Sequence, residues 1–468
     1  MRYWIGLLLF LCACVRLPEY ETAAPLKSAG CETPLKEAQD QGSFTFGDWP
    51  QKNWWEDFKD ESLNSIIDQA LKLSPTLKKS EEALRAASQF AQQKKASLYP
   101  EVDFDADNNW QHLAKDGFFR HYAPTIPSVV NDIHLGLSYK YEFDFWGKNR
   151  DLFHAALGKA SALAAEKQQA ELILTTSISY TYMQTQLLLH LRSLTELIEI
   201  NRTEIQKTRE KRQLHALDAS IIRLQSQNEK LETSASLIEL DQQIELLFHK
   251  IKNLSGLSQD AKLEILKQPM QSTTLTLPEN LSLDLLARRP DLVAQKMRME
   301  AAAREIGAAR TDFYPNINLM GVLGFETVIW SLFQKKNINA NVDPAIHLPI
   351  FTAGRIKAQL MEKVSEFNRA VHSYNELVLE AAQEVADALS KIILLQKEIE
   401  VRKSSAEVAE AQSKISEKRF LNALDDRIEV LLSKNNLLEM QKKLLEFEYA
   451  KVLAEIQLIR SLGGGFHE

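Results

Sequence analysis

The chain has little of what interrupts regular structure. Its 468 residues include only 16 Gly and 14 Pro, which argues against a loop-rich enzyme and for long unbroken elements. Charge of one sign is also lacking, since 56 Lys and Arg face 63 Asp and Glu, a formal charge of −7. No basic stripe is available to track phosphates, so nucleic acid is not expected as a partner. The ten His residues are scattered without metal-ligand spacing, and no phosphate-loop signature occurs. Neither metal, cofactor nor a converging catalytic cluster is expected, and the chain does not read as an enzyme. After residue 13 no apolar run is long enough for a membrane-spanning helix, so any crossing has to use strands. Cysteine is reduced to Cys12, Cys14 and Cys31.

What is present begins with MRYWIGLLLFLCACVRLP, in which Arg2 is a short positive region and Trp4 to Phe10 an apolar run ahead of small residues and cysteine. This pattern is an export signal. Leu11-Cys12-Ala13-Cys14 resembles the bacterial lipoprotein box, which implies cleavage after residue 13 and acylation of Cys14; a plain leader with chance cysteines is the alternative. Cys12 then leaves with the leader and Cys31 stands alone, so no intrachain disulfide is expected.

The remainder carries an internal repeat. Ser74 to Pro100 aligns with Arg289 to Pro315, and the pairs Pro75/Pro290, Leu77/Leu292, Ala86/Ala301, Tyr99/Tyr314 and Pro100/Pro315 all lie 215 positions apart. Further on, Trp-Gly-Lys at 146–148 matches Ala-Gly-Arg at 353–355, and RQLHALD at 212–218 matches RFLNALD at 419–425, now 207 apart. Each unit reads as a helix ending at Tyr-Pro, a strand, a loop, a second strand ending at Gly, and a very long helix with its return. Proline cannot donate a ladder bond and disfavours helix before it, so Pro100 and Pro315 are suited to helix-to-strand junctions. Gly147 and Gly354, without a Cβ, can turn the chain from strand into helix.

The strands are two-faced. Val102, Phe104, Ala106 and Trp110 alternate with Asp103, Asp105, Asp107 and Asn109, and Ile317, Leu319, Gly321, Leu323 and Phe325 share a face in the second unit. Ile133 to Phe145 alternates without a break and ends in Tyr139, Tyr141, Phe143, Phe145 and Trp146. That length and aromatic ending favour a membrane barrel over a sandwich. A fourth strand is expected within Ile338 to Phe351, its limits blurred by Pro344 and Pro349. Four strands cannot close a barrel, so several chains must complete it. The helical stretches follow heptads, among them Leu191, Ile198 and Ile205, and the unbroken 3/4 series from Val364 to Ile399. Residues 355–421 as one helix reach roughly 100 Å at 1.5 Å per residue. The pattern breaks near Leu214 and Leu421 and resumes in return helices of about 40 residues.

RRPDL at 288–292, AAAREIGAARTDFYPNINLMG at 301–321, LPIFTAGR at 348–355, YEFDFWGK at 141–148 and LGGGF at 462–466 together resemble the TolC-like outer membrane efflux proteins. The lipoprotein box points to their subgroup serving resistance-nodulation-division pumps. The resemblance implies a mainly α, mixed α/β fold, with a homotrimeric 12-stranded outer-membrane β-barrel continuous with a long periplasmic α-helical coiled-coil barrel. It also implies a periplasmic adaptor and an inner-membrane pump as partners, outer membrane lipid around the barrel, and passive conduction of drugs, toxic compounds or metals. A duct for type I protein or peptide secretion shares this architecture, and a structural coiled-coil lipoprotein explains the helices alone. The implied organisation is a leader at 1–13, a linker at 14–61, repeats at 62–256 and 281–462, a second linker at 257–280 and a tail at 463–468.

On this pattern Pro100, Gly147, Pro315 and Gly354 are the barrel-to-tunnel junctions. The adaptor-facing turns are Leu214, His215, Ala216, Leu217 and Asp218 in the first hairpin and Leu421, Asn422, Ala423 and Leu424 in the second. Family turns usually carry glycine where Ala216 and Ala423 stand. His215 and Asn422 come just before, and Asn tolerates a left-handed backbone, so the adaptor-facing turn is expected to differ in shape from the family's. Threefold symmetry brings Arg419, Asp425, Asp426 and Arg427 to a periplasmic gate, with Arg212 and Asp218 outside it. The alternative is that these are solvated turn charges, Asp425 or Asp426 capping the return helix.

Overall fold

A computed structural model describes residues 17–28, 30, 45–47, 49–269, 276–277, 286–327 and 332–467. The leader, Cys14 and Cys31 lie outside the described residues. The chain is mainly helical and divides into two compact units. Among the described residues no helix is long and apolar enough to cross a membrane.

The first unit takes the described residues within 1–25, 84–163 and 295–373. It holds an antiparallel sheet of β2 (Glu101–His112), β3 (Val129–Glu142), β5 (Asn316–Thr327) and β6 (Ile338–His347) in the order β2-β3-β5-β6, so β2 and β6 are its edges. Register places Phe104 opposite Leu137, Leu137 opposite Leu323 and Leu323 opposite Ala340, so one apolar face runs across all four strands. That face is open: Phe104, Trp110 and Val342 are each about two-thirds exposed or more. Asp103, Asp105 and Asp107 take the opposite face by the period of two. Gly136 sits opposite Gly324, where a Cβ on Gly324 would lie 2.5 Å from the Gly136 Cα. Pro344 lies inside β6, where an edge strand tolerates a residue that cannot donate. Between β2 and β3 is a short helix, α3 (Phe118–Tyr122).

Two sequence boundaries are corrected here. The alternating run from Ile133 to Phe145 is not all strand, because β3 begins at Val129 and ends at Glu142. Phe143 makes one further backbone bond to Ile317 before the chain leaves the ladder. The cause is Asp144, whose carboxylate accepts from the Asn149 and Arg150 amides at 3.0 Å and so belongs to the following helix. Likewise the helices before Pro100 and Pro315, α2 (Pro75–Ala96) and α6 (Pro290–Thr311), stop short of Tyr-Pro in hydrogen-bonded turns.

The second unit takes the described residues within 26–83, 164–294 and 374–468. A parallel pair, β1 (Thr45–Phe46) with β4 (Thr276–Leu277), joins the two segments read as plain linkers. Long helices dominate it: residues 164–214 of α4 (Lys148–Leu214) and 374–421 of α7 (Arg355–Leu421), helices of 67 residues each, and their returns α5 (Ser220–Leu254) and α8 (Arg427–Ser461), of 35 residues each, shorter than the 40 expected. Side chains fix the order of these helices within the unit. α5 meets α4 through Ser234 to Glu199 and Arg202 to Glu229. α4 meets α8 through Asn201 to Asn435 at 2.8 Å and through Ile205 packed on Ile428 and Leu431. α8 meets α7 through Lys434 to Glu417 at 2.9 Å and Arg402 over Phe447. The layer is therefore α5-α4-α8-α7.

Its core is aromatic and aliphatic. Trp54, Trp55 and Phe58 pack with α1 (Glu61–Leu73), with Leu174 and Ile178 of α4, and with Tyr449 and Ile456 of α8. The Arg-Arg-Pro-Asp-Leu motif has a structural use: Arg289, 7% exposed, donates to Asp291 at 2.7 Å, Glu384 at 2.7 Å and the Ser461 carbonyl at 3.2 Å. The terminal glycines fit beside it, since a Cβ on Gly463, whose φ is +91°, would fall 2.0 Å from the Arg288 carbonyl oxygen.

Candidate functional site

The two helical turns are built alike from their backbones. In the first, the Leu217 amide donates to the Arg212 carbonyl at 2.8 Å and the Ala216 amide to that of Gln213 at 2.9 Å. In the second, Leu424 donates to Arg419 and Ala423 to Phe420, both at 2.9 Å. Each pair of bonds closes a Schellman motif, whose penultimate residue must be left-handed. Ala216 and Ala423 occupy that position, each with φ 57°. The left-handed residue is thus the alanine itself and not Asn422. The Asn422 side-chain amide instead donates to the Lys418 carbonyl at 2.8 Å, an oxygen that also accepts from the Asn422 backbone amide at 3.2 Å. Leu214, Leu217, Leu421 and Leu424 are all two-thirds exposed or more.

The charges differ between the turns. Asp218 is enclosed, its side chain 4% exposed, and accepts from Arg209 and Arg212 at 3.1 Å each. Desolvation works to raise its pKa, but the two arginine hydrogen bonds outweigh it and hold the carboxyl below the usual range. Asp425 takes a two-pronged contact from Arg419 at 2.7 and 3.0 Å, which lowers its pKa in the same direction. Asp426 caps α8, accepting from the Ile428 and Glu429 amides at 2.8 and 3.1 Å. Its other oxygen accepts from Arg212 at 3.2 Å, and Arg427 reaches Glu204 at 3.0 Å, so both arginines tie one hairpin to the other. Ala219 heads α5 without a side-chain cap.

The structure thus brings Arg419, Asp425, Asp426 and Arg427 to one turn, and within the chain each has a partner. Two contributors were missed from the sequence. Arg209 lies one turn before Arg212 on α4, a spacing that marks it as able to share the same aspartate. Glu204 carries no such local signal, because only the packing of α8 on α4 brings it to Arg427.

The four junction residues stand at element boundaries. Pro100 and Pro315 directly precede β2 and β5, and Gly147 and Gly354, with φ of 83° and 85°, directly precede α4 and α7. Around them the Trp146 indole donates to the Pro315 carbonyl at 2.8 Å and stacks on Tyr314 at 4.8 Å. Lys148 pairs with Asp312 at 2.8 Å.

A sequence profile described as outer membrane efflux protein matches residues 66–256 and 281–464. The multidrug resistance outer membrane protein MdtQ of Escherichia coli is 28% identical over 482 residues, covering 98% of this chain and 97% of the relative. MdtP, also of Escherichia coli and also called a multidrug resistance outer membrane protein, is 26% identical over 89% of this chain and 87% of its own length. Among solved structures, the outer membrane protein VceC from Vibrio cholerae aligns with a TM-score of 0.79 at 29% identity, covering 90% of this chain and 100% of that one. The outer-membrane channel OprN has the same fold, with a TM-score of 0.83 at 23% identity over 97% and 99% of the two chains. The profile takes in the four-stranded sheet, the long helices and both turns: the chain belongs to the outer membrane efflux protein family.

Proposed function

We propose that this protein is the outer-membrane exit duct of a tripartite efflux system, passively conducting small toxic molecules handed on by a periplasmic adaptor and an inner-membrane pump. The sheet carries this reading. It has an open apolar face and two unpaired edges, and leaving a Phe or Val side chain in water forgoes roughly 1.5–3 kcal/mol relative to burying it. In hydrocarbon the face is at home, but the free edges of β2 and β6 are not, because each unpaired backbone group there costs several kcal/mol. Three copies in a ring make a 12-stranded barrel without edges. The matching halves, each with helices of 67 and 35 residues, support a tandem repeat.

In this reading Cys14 carries lipid, and Pro100, Gly147, Pro315 and Gly354 mark where barrel becomes helical tunnel. The exposed leucines of the two turns face the adaptor. Arg419, Asp425, Asp426 and Arg427 form the periplasmic gate, while Arg212 and Asp218 stay outside it. The test uses purified full-length protein in two measurements. Light scattering in detergent should give the mass of three chains, and insertion into a planar bilayer should give discrete conductance steps. A one-chain mass with helical circular dichroism intact, or a silent bilayer, refutes the proposal.

A further inference from the structure

The second unit contains a cleft that conduction does not use. It has a volume of about 310 Å³ and lies where the end of the short helix Trp54–Phe58 and the start of α1 meet α4 and α8. Phe58, Met183 and Val452 form its apolar wall, and each is more than nine-tenths buried. Tyr449 completes that wall. It is only 1% exposed, yet its hydroxyl opens on the cleft and has no hydrogen-bond partner among the described residues. The neighbouring Tyr182 is satisfied, since its hydroxyl donates to Asp60 at 2.6 Å and accepts from Gln186 at 3.1 Å. A buried hydroxyl left alone is costly unless something in the cleft supplies its partner.

Charge decides what that partner is. Asp60 and Glu61 line the cleft, against one cation, the exposed Lys59. Asp60 accepts from the Ser62 and Leu63 amides and from Tyr182, all neutral donors, so its negative charge is not cancelled by an ion pair. Burial, and after it the charges of Glu448 and Asp60, push the Tyr449 hydroxyl up to about 12. The field at this hydroxyl is therefore negative, and an anionic guest is disfavoured there. A neutral alcohol would satisfy the hydroxyl and leave the carboxylates as they are. An ammonium group answers both, and aromatic faces such as those of Phe58 and Tyr449 attract it further.

We propose that this cleft binds a small organic cation, a primary ammonium carried on an apolar body. The ammonium donates to the Tyr449 hydroxyl oxygen and faces the Asp60 carboxylate, while Phe58, Met183 and Val452 cover the body. The site goes beyond the duct and does not rest on it, because every residue that builds it belongs to one compact unit of one chain.

The test is ligand-observed saturation-transfer NMR on the full-length protein in a neutral detergent, titrated with 2-phenylethylammonium. The Kd should be roughly 0.1–1 mM. 2-Phenylethanol, of the same size without the charge, should bind at least about tenfold more weakly. Asp60→Asn keeps a side chain able to cap α1 and removes the charge, so it should weaken the ammonium at least about tenfold and change the alcohol little. Tyr449→Phe keeps the ring and should weaken the ammonium about three- to tenfold, with helical circular dichroism unchanged. Equal affinity for ammonium and alcohol overturns the site, as does an ammonium affinity that Asp60→Asn leaves unchanged or an absence of binding up to about 10 mM. Should Asp60→Asn fail to fold, Tyr449→Phe decides alone, and an unchanged ammonium affinity there overturns the site. None of these readings depends on the detergent mass or the conductance, so the site and the duct fail separately.

Discussion

Replacing Ala216 or Ala423 with Gly should tighten the turn that carries it. Both alanines are held at φ 57°, where the Cβ crowds the following carbonyl at a cost of roughly 1–2 kcal/mol that glycine does not incur. Glycine gives back roughly 0.5–1 kcal/mol through the greater freedom of the unfolded chain. The difference is a net gain of about 0.5–1 kcal/mol per turn, or roughly a two- to fivefold smaller opening constant. The amides that report it are those of Leu217 and Leu424, which donate to Arg212 and Arg419 across the turns. Hydrogen exchange followed by mass spectrometry on the full-length protein should slow by that factor at 215–219 in Ala216→Gly and at 422–426 in Ala423→Gly. Ala216→Val should move the other way, because a β-branched side chain fits the left-handed region worst. Faster exchange in either glycine variant would refute the reasoning, since it would mean that the alanine side chain contributes contacts worth more than the strain.

Four further outcomes are expected. Arg419→Ala with Asp425→Ala should raise single-channel conductance in a planar bilayer well above wild type, and Arg212→Ala with Asp218→Ala should raise it less; equal or absent effects would leave all four as ordinary turn charges. Intact-mass measurement should find a mature chain beginning at Cys14 with added acyl mass, and an unmodified chain starting elsewhere would end that expectation. Asp218 has its folded pKa held below an unfolded value near 3.9, so its contribution is fully present above about pH 4 and is lost as pH falls through the folded value; exchange protection of the first turn, corrected for intrinsic rates, should be flat from pH 7 to 5 and decline only below about 4. Gly463→Ala places a methyl 2.0 Å from the Arg288 carbonyl oxygen at a positive φ and should cost about 3 kcal/mol, read as a thermal midpoint several degrees lower than wild type.

Period and punctuation made most of the fold legible. A two-residue alternation has one structural meaning, which is why the faces of β2, β3 and β5 could be assigned from Val102, Ile133 and Ile317 onward. The heptads at Leu191, Ile198 and Ile205 marked residues that are now buried at 7%, 3% and 3% exposure. Boundaries were less legible because they are set by competition between elements. The alternation in Tyr141-Glu142-Phe143-Asp144-Phe145 continues past the strand, and nothing in the pattern says that Asp144 will serve the amides of Asn149 and Arg150 instead of a strand face. The parallel pair of Thr45–Phe46 with Thr276–Leu277 was hidden for a simpler reason: two residues carry no period, and their partner is more than two hundred positions away.

The candidate site was legible in its residues and not in its pairings. Asp and Arg at a predicted turn admit several partners, and sequence spacing ranks only the local ones. Arg419 with Asp425 and Arg212 with Asp218 are such local pairs, six residues apart across the same left-handed turn. Glu204 with Arg427 and Arg212 with Asp426 are not, since each requires α8 to lie against α4 at a depth fixed by Ile205, Ile428 and Leu431. Partly exposed ion pairs of this kind are worth about 0–1 kcal/mol each, less than burying one Ile or Leu, at roughly 1.5–3 kcal/mol. The packing therefore decides which charges meet, and the charges then discriminate among packings that are otherwise similar.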